Sequence, residues 1–185
     1  MTKTVVVTDS TAYIPEEIRA SLNIQMVPLS VVIGNETYRE EIDINTTEFY
    51  DKIRNEKALP KTSQPSLGNF VTTFENLEKD YDSIISVHLS SGISGTLAGA
   101  EQAGGMVEGI DVHTFDTEIS CMVQGFYVIR AAEMAQAGEA PEAILQELNK
   151  MKQSMRAYFM VDNLDHLHRG GRLNGFERVI GSVLQ

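Results

Sequence analysis

Short apolar runs alternate with longer amphipathic stretches along most of the chain. Three of these runs, residues 4–8, 83–89 and 110–115, have the length and the β-branched or apolar content of buried strands. Residues 24–33 are also strand-like, and Pro28 within them predicts a bend or an edge position. Because strands alternate with helical stretches at this spacing, we expect an α/β fold, a parallel or mixed sheet with helices on both faces.

Helix-start and helix-stop signals divide the amphipathic stretches. Asn45 and Glu48 have the spacing of a capping box, Ser66 precedes an amphipathic stretch, and Gly138 follows a long apolar one. The predicted helices cover about residues 15–22, 45–57, 66–80, 96–107, 120–137 and 141–155. Short strands are predicted at residues 37–39 and 158–161.

Residues 59–66, which read LPKTSQPS, combine two prolines with a concentration of polar side chains. Proline fixes one backbone dihedral and lacks an amide hydrogen, so we expect no regular structure here. A solvated loop and a ligand-binding segment are both compatible with this composition.

Residues 90–96, which read SSGISGT, lie where a predicted strand passes into a predicted helix. Such junctions carry the ligand sites of many α/β proteins. Gly92 and Gly95 allow turns and a close approach of a ligand to the backbone, and the serine and threonine hydroxyls are short hydrogen-bond donors. The amides that open the helix favour negative charge. This pattern indicates an anion or carboxylate site, and the alternative is that Ser94 only caps the helix.

The composition narrows the class of protein. The chain has 185 residues, of which 42% are hydrophobic and 22% charged, as in a folded domain or a domain with part of a second. Its net charge of −11 argues against a general nucleic-acid-binding surface. The single cysteine, Cys121, excludes an internal disulfide framework, and the N-terminal apolar run is too short for a signal peptide or membrane span. We therefore expect a cytoplasmic protein without stable membrane insertion.

Metal and nucleotide sites are not expected from the sequence. His166 and His168 are two residues apart, and this spacing places side chains on different sides of a helix. Neither a P-loop nor a GxGxxG pattern follows any predicted strand.

A serine hydrolase is the enzyme alternative. Residues 92–95 place Ser94 on a sharp strand-to-helix turn similar to a nucleophile elbow, but Thr96 stands where the GxSxG pattern requires glycine. Asp116 or Asp162, with His166 or His168, could complete a triad, and the spacing selects none of them.

Several segments, taken together, resemble the DegV family of bacterial fatty-acid-binding proteins, the FakB component of fatty acid kinase. They follow the family's order from one end of the chain to the other, and the pair TSQPS and SSxxSGT is specific. The segments are VTDSTA at 7–12, VPLSVVI at 27–33, YREEID at 38–43, LPKTSQPS at 59–66, ISVHLSSGISGT at 85–96 and RGGRL at 169–173.

The resemblance implies a carrier that holds one long-chain fatty acid, with its carboxylate at a polar mouth and its acyl chain in an apolar tunnel. Thr62 and Ser94 match the family's carboxylate-binding hydroxyls, and the Gly95 amide is expected beside them. A partner fatty acid kinase subunit would phosphorylate the bound carboxylate with ATP, so we expect no catalytic residue and no cofactor on this chain. Ser63, Arg169 and Arg172 are expected as contacts at the mouth or with the partner.

The resemblance also predicts the domain organisation. Residues 1–162 would form the N-terminal α/β lobe, and residues 163–185 would begin a second α/β lobe that is apparently truncated. The chain departs from the family after Asp116, where residues 117–123 carry larger side chains than the family's glycine- and serine-rich segment. A shorter or reshaped tunnel is therefore expected. A scaffold fragment that binds no ligand is the remaining alternative.

Overall fold

The main sheet of the fold is parallel. The computed structural model describes residues 2–54, 59–158 and 170–172. Within these residues four parallel strands lie in the order β2-β1-β6-β7. They are β1 (Thr4–Asp9), β2 (Gln25–Val27), β6 (Ser83–His88) and β7 (Asp111–Asp116).

The helices of the described residues begin and end close to the predicted positions. They are α1 (Glu16–Ser21), α2 (Thr46–Ile53), α3 (Leu67–Leu77), α4 (Thr96–Gly104), α5 (Cys121–Gln136) and α6 (Pro141–Ser154). The capping box at the start of α2 is confirmed: Asn45 accepts from the Glu48 amide at 3.0 Å, and Glu48 accepts from the Asn45 amide at 3.0 Å. Ser66 caps α3 through the Asn69 amide, and Gly138 after α5 has a φ of 79°.

Alternation of side chains along the central strands builds one core on each face of the sheet. Val5, Val7 and Ile84 face α3 and α4, where Phe70, Phe74, Ala100 and Ala103 are buried. Val6, Ile85 and Val87 face α5 and α6, where Tyr127, Val128, Ile144 and Leu148 are buried. The predicted α/β fold with helices on both faces of a parallel sheet is therefore confirmed.

A second, smaller sheet is antiparallel, with the order β4-β3-β5. Its strands are β3 (Ser30–Ile33), β4 (Glu36–Arg39) and β5 (Lys61–Ser63). Val31, Ile33 and Ile44 form a small core on this sheet.

Two sequence-based predictions about these strands are wrong. The single strand predicted at residues 24–33 is two strands in different sheets, because the break at Pro28 and Leu29 redirects the chain from β2 to β3, whereas the bend predicted at Pro28 is confirmed. Residues 59–66 contain a regular strand, since Pro60 and Pro65 flank β5 and leave its amides able to pair with β3.

Some predictions fall on residues that the structure does not describe. The end of the second predicted helix at residues 55–57, most of the strand at 158–161 and the domain boundary after residue 162 lie outside the described residues. Tyr158 itself is exposed and is not in a strand. In the ranges that are described, no helix is both long and apolar enough to cross a bilayer.

Candidate functional site

The carboxyl ends of the central parallel strands define one edge of the main sheet. β1 ends at Asp9, β6 at His88 and β7 at Asp116, and His88 pairs with Asp116 in the register. The loop of residues 89–95, which includes most of SSGISGT, leaves β6 at this edge. Ligands of open α/β sheets bind in crevices at this edge, so the side chains along it form the candidate site.

The loop before α4 is closed by its own hydrogen bonds. The Ser94 amide donates to the Ser90 carbonyl at 3.2 Å, and the Gly92 amide donates to Ser90 Oγ at 3.2 Å. Ser94 Oγ accepts from the Thr96 amide at 3.3 Å and lies 2.9 Å from Thr96 Oγ1. Ser94 therefore forms a short side-chain turn onto the first amide of α4, whose N-cap residue is Gly95 and which has no side-chain cap hydrogen bond. When the Thr96 hydroxyl donates to Ser94, the hydroxyl proton of Ser94 is free for a ligand.

The TSQPS segment reaches this loop through Gln64. A Cβ atom added at Gly95 would collide with Gln64 Oε1 and would lie 3.1 Å from Gln64 Cδ. The absence of a side chain at Gly95 therefore lets Gln64 lie against the start of α4. The two motifs, which are about thirty residues apart in sequence, are in contact in the fold.

The residues predicted for the mouth differ in their surroundings. Thr62 and Ser63 are exposed on β5, opposite Val31 and Ser30 of β3. Gly95 is exposed and Ser94 is half-buried.

Of the two arginines predicted at the mouth or the partner contact, only Arg172 lies within the described residues. Arg172 donates to the Gly170 carbonyl at 2.6 Å, and no other hydrogen bond of its side chain is seen within the described ranges. Arg169 lies outside the described residues.

A buried polar network lies directly beneath this edge and joins β1, β6 and α5. His88 Nδ1 is 2.9 Å from Asp9 Oδ2, and His88 Nε2 is 2.7 Å from Ser86 Oγ. The Leu89 amide and Gln124 Nε2 donate to the same Asp9 oxygen at 3.1 and 3.2 Å. Because Leu89 begins the loop that carries Ser94, Asp9 fixes the point where that loop leaves the sheet.

The other Asp9 oxygen holds the turn that follows β1. Asp9 Oδ1 accepts from the Thr11 amide at 3.0 Å and from the Thr11 hydroxyl at 2.6 Å. Burial alone would raise the pKa of Asp9, but the hydrogen bond and the charge of His88, with the bonds from Thr11 and Leu89, outweigh burial and lower it. Asp9 is thus ionised at neutral pH, and a carboxylate only accepts, so His88 Nδ1 carries the proton of their hydrogen bond.

Ser86, His88 and Asp9 follow one another in the order of a Ser-His-Asp triad, but the arrangement is not an active site. Ser86 and His88 are completely buried, and Asp9 is 1% exposed. A substrate carbonyl has no access to Ser86 Oγ. Ser94, the serine of the hydrolase alternative, has its hydrogen bonds within the described residues to Ser90 and Thr96. His166 and His168 lie outside those residues.

His88 and Gln124 were not predicted from the sequence as part of the site. The available signal was the pattern of β6, because Ser86 and His88 are polar residues two apart in a strand whose other residues after Ser83 are apolar. Side chains two apart share a face of the sheet, so two polar groups there require partners within the fold. Gln124 carried no such signal, since one amide in a helix is normally solvated.

The loop after β7 is hydrogen-bonded to the loop that carries Ser94. Ser91 Oγ donates to Asp116 Oδ2 at 2.5 Å, and the Ser90 amide donates to the Ile119 carbonyl at 2.7 Å. Thr117 Oγ1 donates to the His88 carbonyl at 2.8 Å. The first part of residues 117–123, where we expected a reshaped tunnel, thus braces the edge that carries the candidate site.

Comparison with known proteins gives a consistent family. A family model described as an uncharacterised protein of the DegV family matches residues 3–185. Protein DegV of Bacillus subtilis is 54% identical over 181 residues, which are 97% of this chain and 64% of that protein. The chain therefore spans slightly less than two thirds of the length of this relative.

Solved structures agree with the family model. The crystal structure of DegV from Bacillus subtilis, a fatty acid binding protein, has a TM-score of 0.93 and 53% identity, covering 98% of this chain and 64% of that one. A DegV family protein from Thermus thermophilus, whose structure concerns its fatty acid binding, has a TM-score of 0.84 and 34% identity, covering 99% and 65%. Because the family model matches residues 3–185, the chain belongs to the DegV family.

Proposed function

We propose that this chain binds a long-chain fatty acid, with the carboxylate held between Thr62 and Ser94. The observation that carries the proposal is the contact of Gln64 with Gly95, which brings the TSQPS and SGT motifs together at the carboxyl edge of the sheet. The similarity to the fatty acid binding DegV of Bacillus subtilis supports the same ligand class.

The chemistry of the head-group site suits a carboxylate that must remain reactive. Thr62 and Ser94 are neutral hydroxyls, and the Gly95 amide belongs to the cap of α4, where partial positive charge favours an anion. These donors satisfy the carboxylate oxygens without a full opposing charge. We infer that the carboxylate keeps more of its negative charge than it would beside a paired arginine.

The acyl chain supplies most of the affinity in this proposal. Burial of one methylene gains about 0.8 kcal/mol, so fifteen methylenes give on the order of 12 kcal/mol before ordering costs. The apolar tunnel that would hold the chain is part of the proposal and rests on the family resemblance.

The physiological role that we propose is to carry the fatty acid and present it to a fatty acid kinase subunit, which forms the acyl phosphate. Ser63, Arg169 and Arg172 are the proposed contacts at the mouth or with that subunit. Catalysis would then take place on the partner. The single cysteine, Cys121, suits a reducing compartment, and we propose that the protein acts in the cytoplasm. The acyl phosphate would then enter phospholipid synthesis.

Mass spectrometry of lipid released by denaturing extraction tests the proposal. We expect the purified protein to release a long-chain fatty acid, and we expect Thr62→Ala and Ser94→Ala to lower the amount. A sample that carries no fatty acid, and whose thermal stability does not change with added palmitate or oleate, would refute fatty acid binding. Turnover of a short activated ester that is lost in Ser94→Ala would favour the hydrolase instead.

A further inference from the structure

We infer that Gln64 is a positioning residue for the carboxylate site, because its side-chain amide fixes the separation between β5, which carries Thr62, and the loop that carries Ser94. This inference rests on the proposed fatty acid binding. It assigns to Gln64 a role in head-group selectivity, in addition to the hydroxyls that contact the carboxylate.

Gln64 lies over two glycines at the start of α4. A Cβ atom at Gly95 would clash with Gln64 Oε1, and it would lie 3.4 Å from Gln64 Nε2. A Cβ atom at Gly99, one helical turn later, would lie 3.8 Å from Nε2 and 3.6 Å from Phe70 Cε2. Side chains four apart share one face of a helix, so the two glycines leave a shallow groove that Gln64 and Phe70 border.

The backbone on both sides of Gln64 is anchored. On one side, β5 pairs with β3, with Thr62 opposite Val31. On the other side, Pro65 is buried and Ser66 caps α3 by accepting from the Asn69 amide at 3.2 Å. The contact of Gln64 with Gly95 is therefore made between fixed points, and it sets how closely β5 approaches the Ser94 loop.

This geometry has a chemical consequence for the ligand. A carboxylate presents two acceptor oxygens, which would engage Thr62 and Ser94 together only if the two hydroxyls have the correct separation. A fatty alcohol presents a single oxygen, which one hydroxyl satisfies. Loss of the Gln64 contact is therefore expected to weaken binding of the acid more than binding of the alcohol.

The test compares oleic acid with oleyl alcohol on delipidated protein, by displacement of a fluorescent fatty acid. In Gln64→Ala we expect the affinity for oleic acid to fall about tenfold, because the carboxylate loses its hydrogen bond to one of the two hydroxyls. We expect the affinity for oleyl alcohol to change less than about twofold. Because the acyl chain is identical, a general loss of structure would weaken both probes equally.

Gly95→Ala provides an independent way to remove the contact between Gln64 and the start of α4. The backbone of Gly95, with φ −82° and ψ 8°, is accessible to alanine. The new methyl group would take the space that the Gln64 amide occupies and would displace that amide from the start of α4. We therefore expect Gly95→Ala to match Gln64→Ala, and the double variant to be no weaker than either single variant. Gly68→Ala is the control, since its Cβ would meet only Ser66 Oγ at 4.0 Å.

Two results would overturn the inference while fatty acid binding stands. One is an unchanged ratio of acid to alcohol affinity in Gln64→Ala, which includes equal weakening of both probes, and the other is multiplication of the two single effects in the double variant. If the wild-type protein binds neither probe, the proposed function fails and the inference fails with it.

Discussion

His88 Nδ1 lies 2.9 Å from Asp9 Oδ2, and both side chains are shielded from solvent. The pair joins two neighbouring parallel strands at the edge where the proposed ligand binds. A buried charge that loses its partner is strongly destabilising, because the remaining group keeps its desolvation penalty. The pair is therefore expected to be a weak point of the fold under mutation.

Asp9→Asn is expected to lower the free energy of unfolding by about 3–5 kcal/mol, the usual cost of breaking a buried pair by changing one partner. Urea denaturation at pH 7 measures the loss. The matched control is Asp43→Asn, which breaks the exposed ion pair with Arg39 and should change stability little. A loss at Asp9 no greater than the loss at Asp43 would contradict a structural role for the buried pair.

The double variant Asp9→Asn, His88→Gln is expected to lose less stability than the sum of the two single variants. Replacing both partners removes the unpaired buried group that each single change leaves behind. A double-mutant cycle by urea denaturation measures this coupling. Strict additivity would mean that the two side chains act independently.

The stability that Asp9 contributes is expected to be lost on acidification. Its pKa in the folded protein is below the value of 3.8 in an unperturbed chain. The contribution is therefore complete above about pH 4, and it disappears as the pH falls through the lower, folded-state pKa. The difference in stability between wild type and Asp9→Asn should then be smaller below pH 4 than at pH 5. A difference that stays constant to pH 2.5 would be inconsistent with this titration.

Ser94→Ala is expected to cost about 1 kcal/mol in the ligand-free protein, because the Thr96 amide loses its hydrogen bond to Ser94 Oγ. Chemical denaturation of delipidated protein measures this cost. Asn45→Ala, which removes the cap of α2, should cost a similar amount but should leave fatty acid binding unchanged. If both variants bind fatty acid equally well, Ser94 only supports the start of α4 and is not a ligand-binding residue.

Gly125→Ala is expected to destabilise the protein by about 1–3 kcal/mol through overpacking. The new methyl group would lie 2.8 Å from the Ala12 carbonyl oxygen, which belongs to the backbone and cannot move aside easily. Urea denaturation of this variant and of Gly68→Ala provides the comparison. The second change has open space and should stabilise α3 by up to about 1 kcal/mol.

The main sheet could be predicted from the sequence because its signals are local. The apolar runs of β1 and β6 are buried on both faces, and their lengths and flanking polar residues mark them as parallel strands. The caps at Asn45, Ser66 and Gly138 depend on contacts within one or two turns of a helix. Each of these features is determined by residues close together in the chain.

The errors arose where distant residues decide the structure. Pro28 was correctly identified as a disturbance, but only the position of β3 beside β4 and β5 shows that the chain changes sheets there. The strand Lys61–Ser63 has little strand propensity of its own, and its pairing with Val31 and its neighbours creates it. The Asp9–His88 contact joins residues 79 apart, and no local pattern specifies which acid a buried histidine meets.

The register of β1 against β6 also constrains the order of events during synthesis. Val5 pairs with Ile84, so β1 lacks its central neighbour until the ribosome has made about half of the chain. Before that point β1 can pair only with the three residues of β2. Contacts of such long sequence separation form slowly, because loop closure costs entropy before the contact is made. The apolar run of β1 therefore stays without its main partner in the nascent chain until β6 has been made, and it is prone to aggregation during that interval.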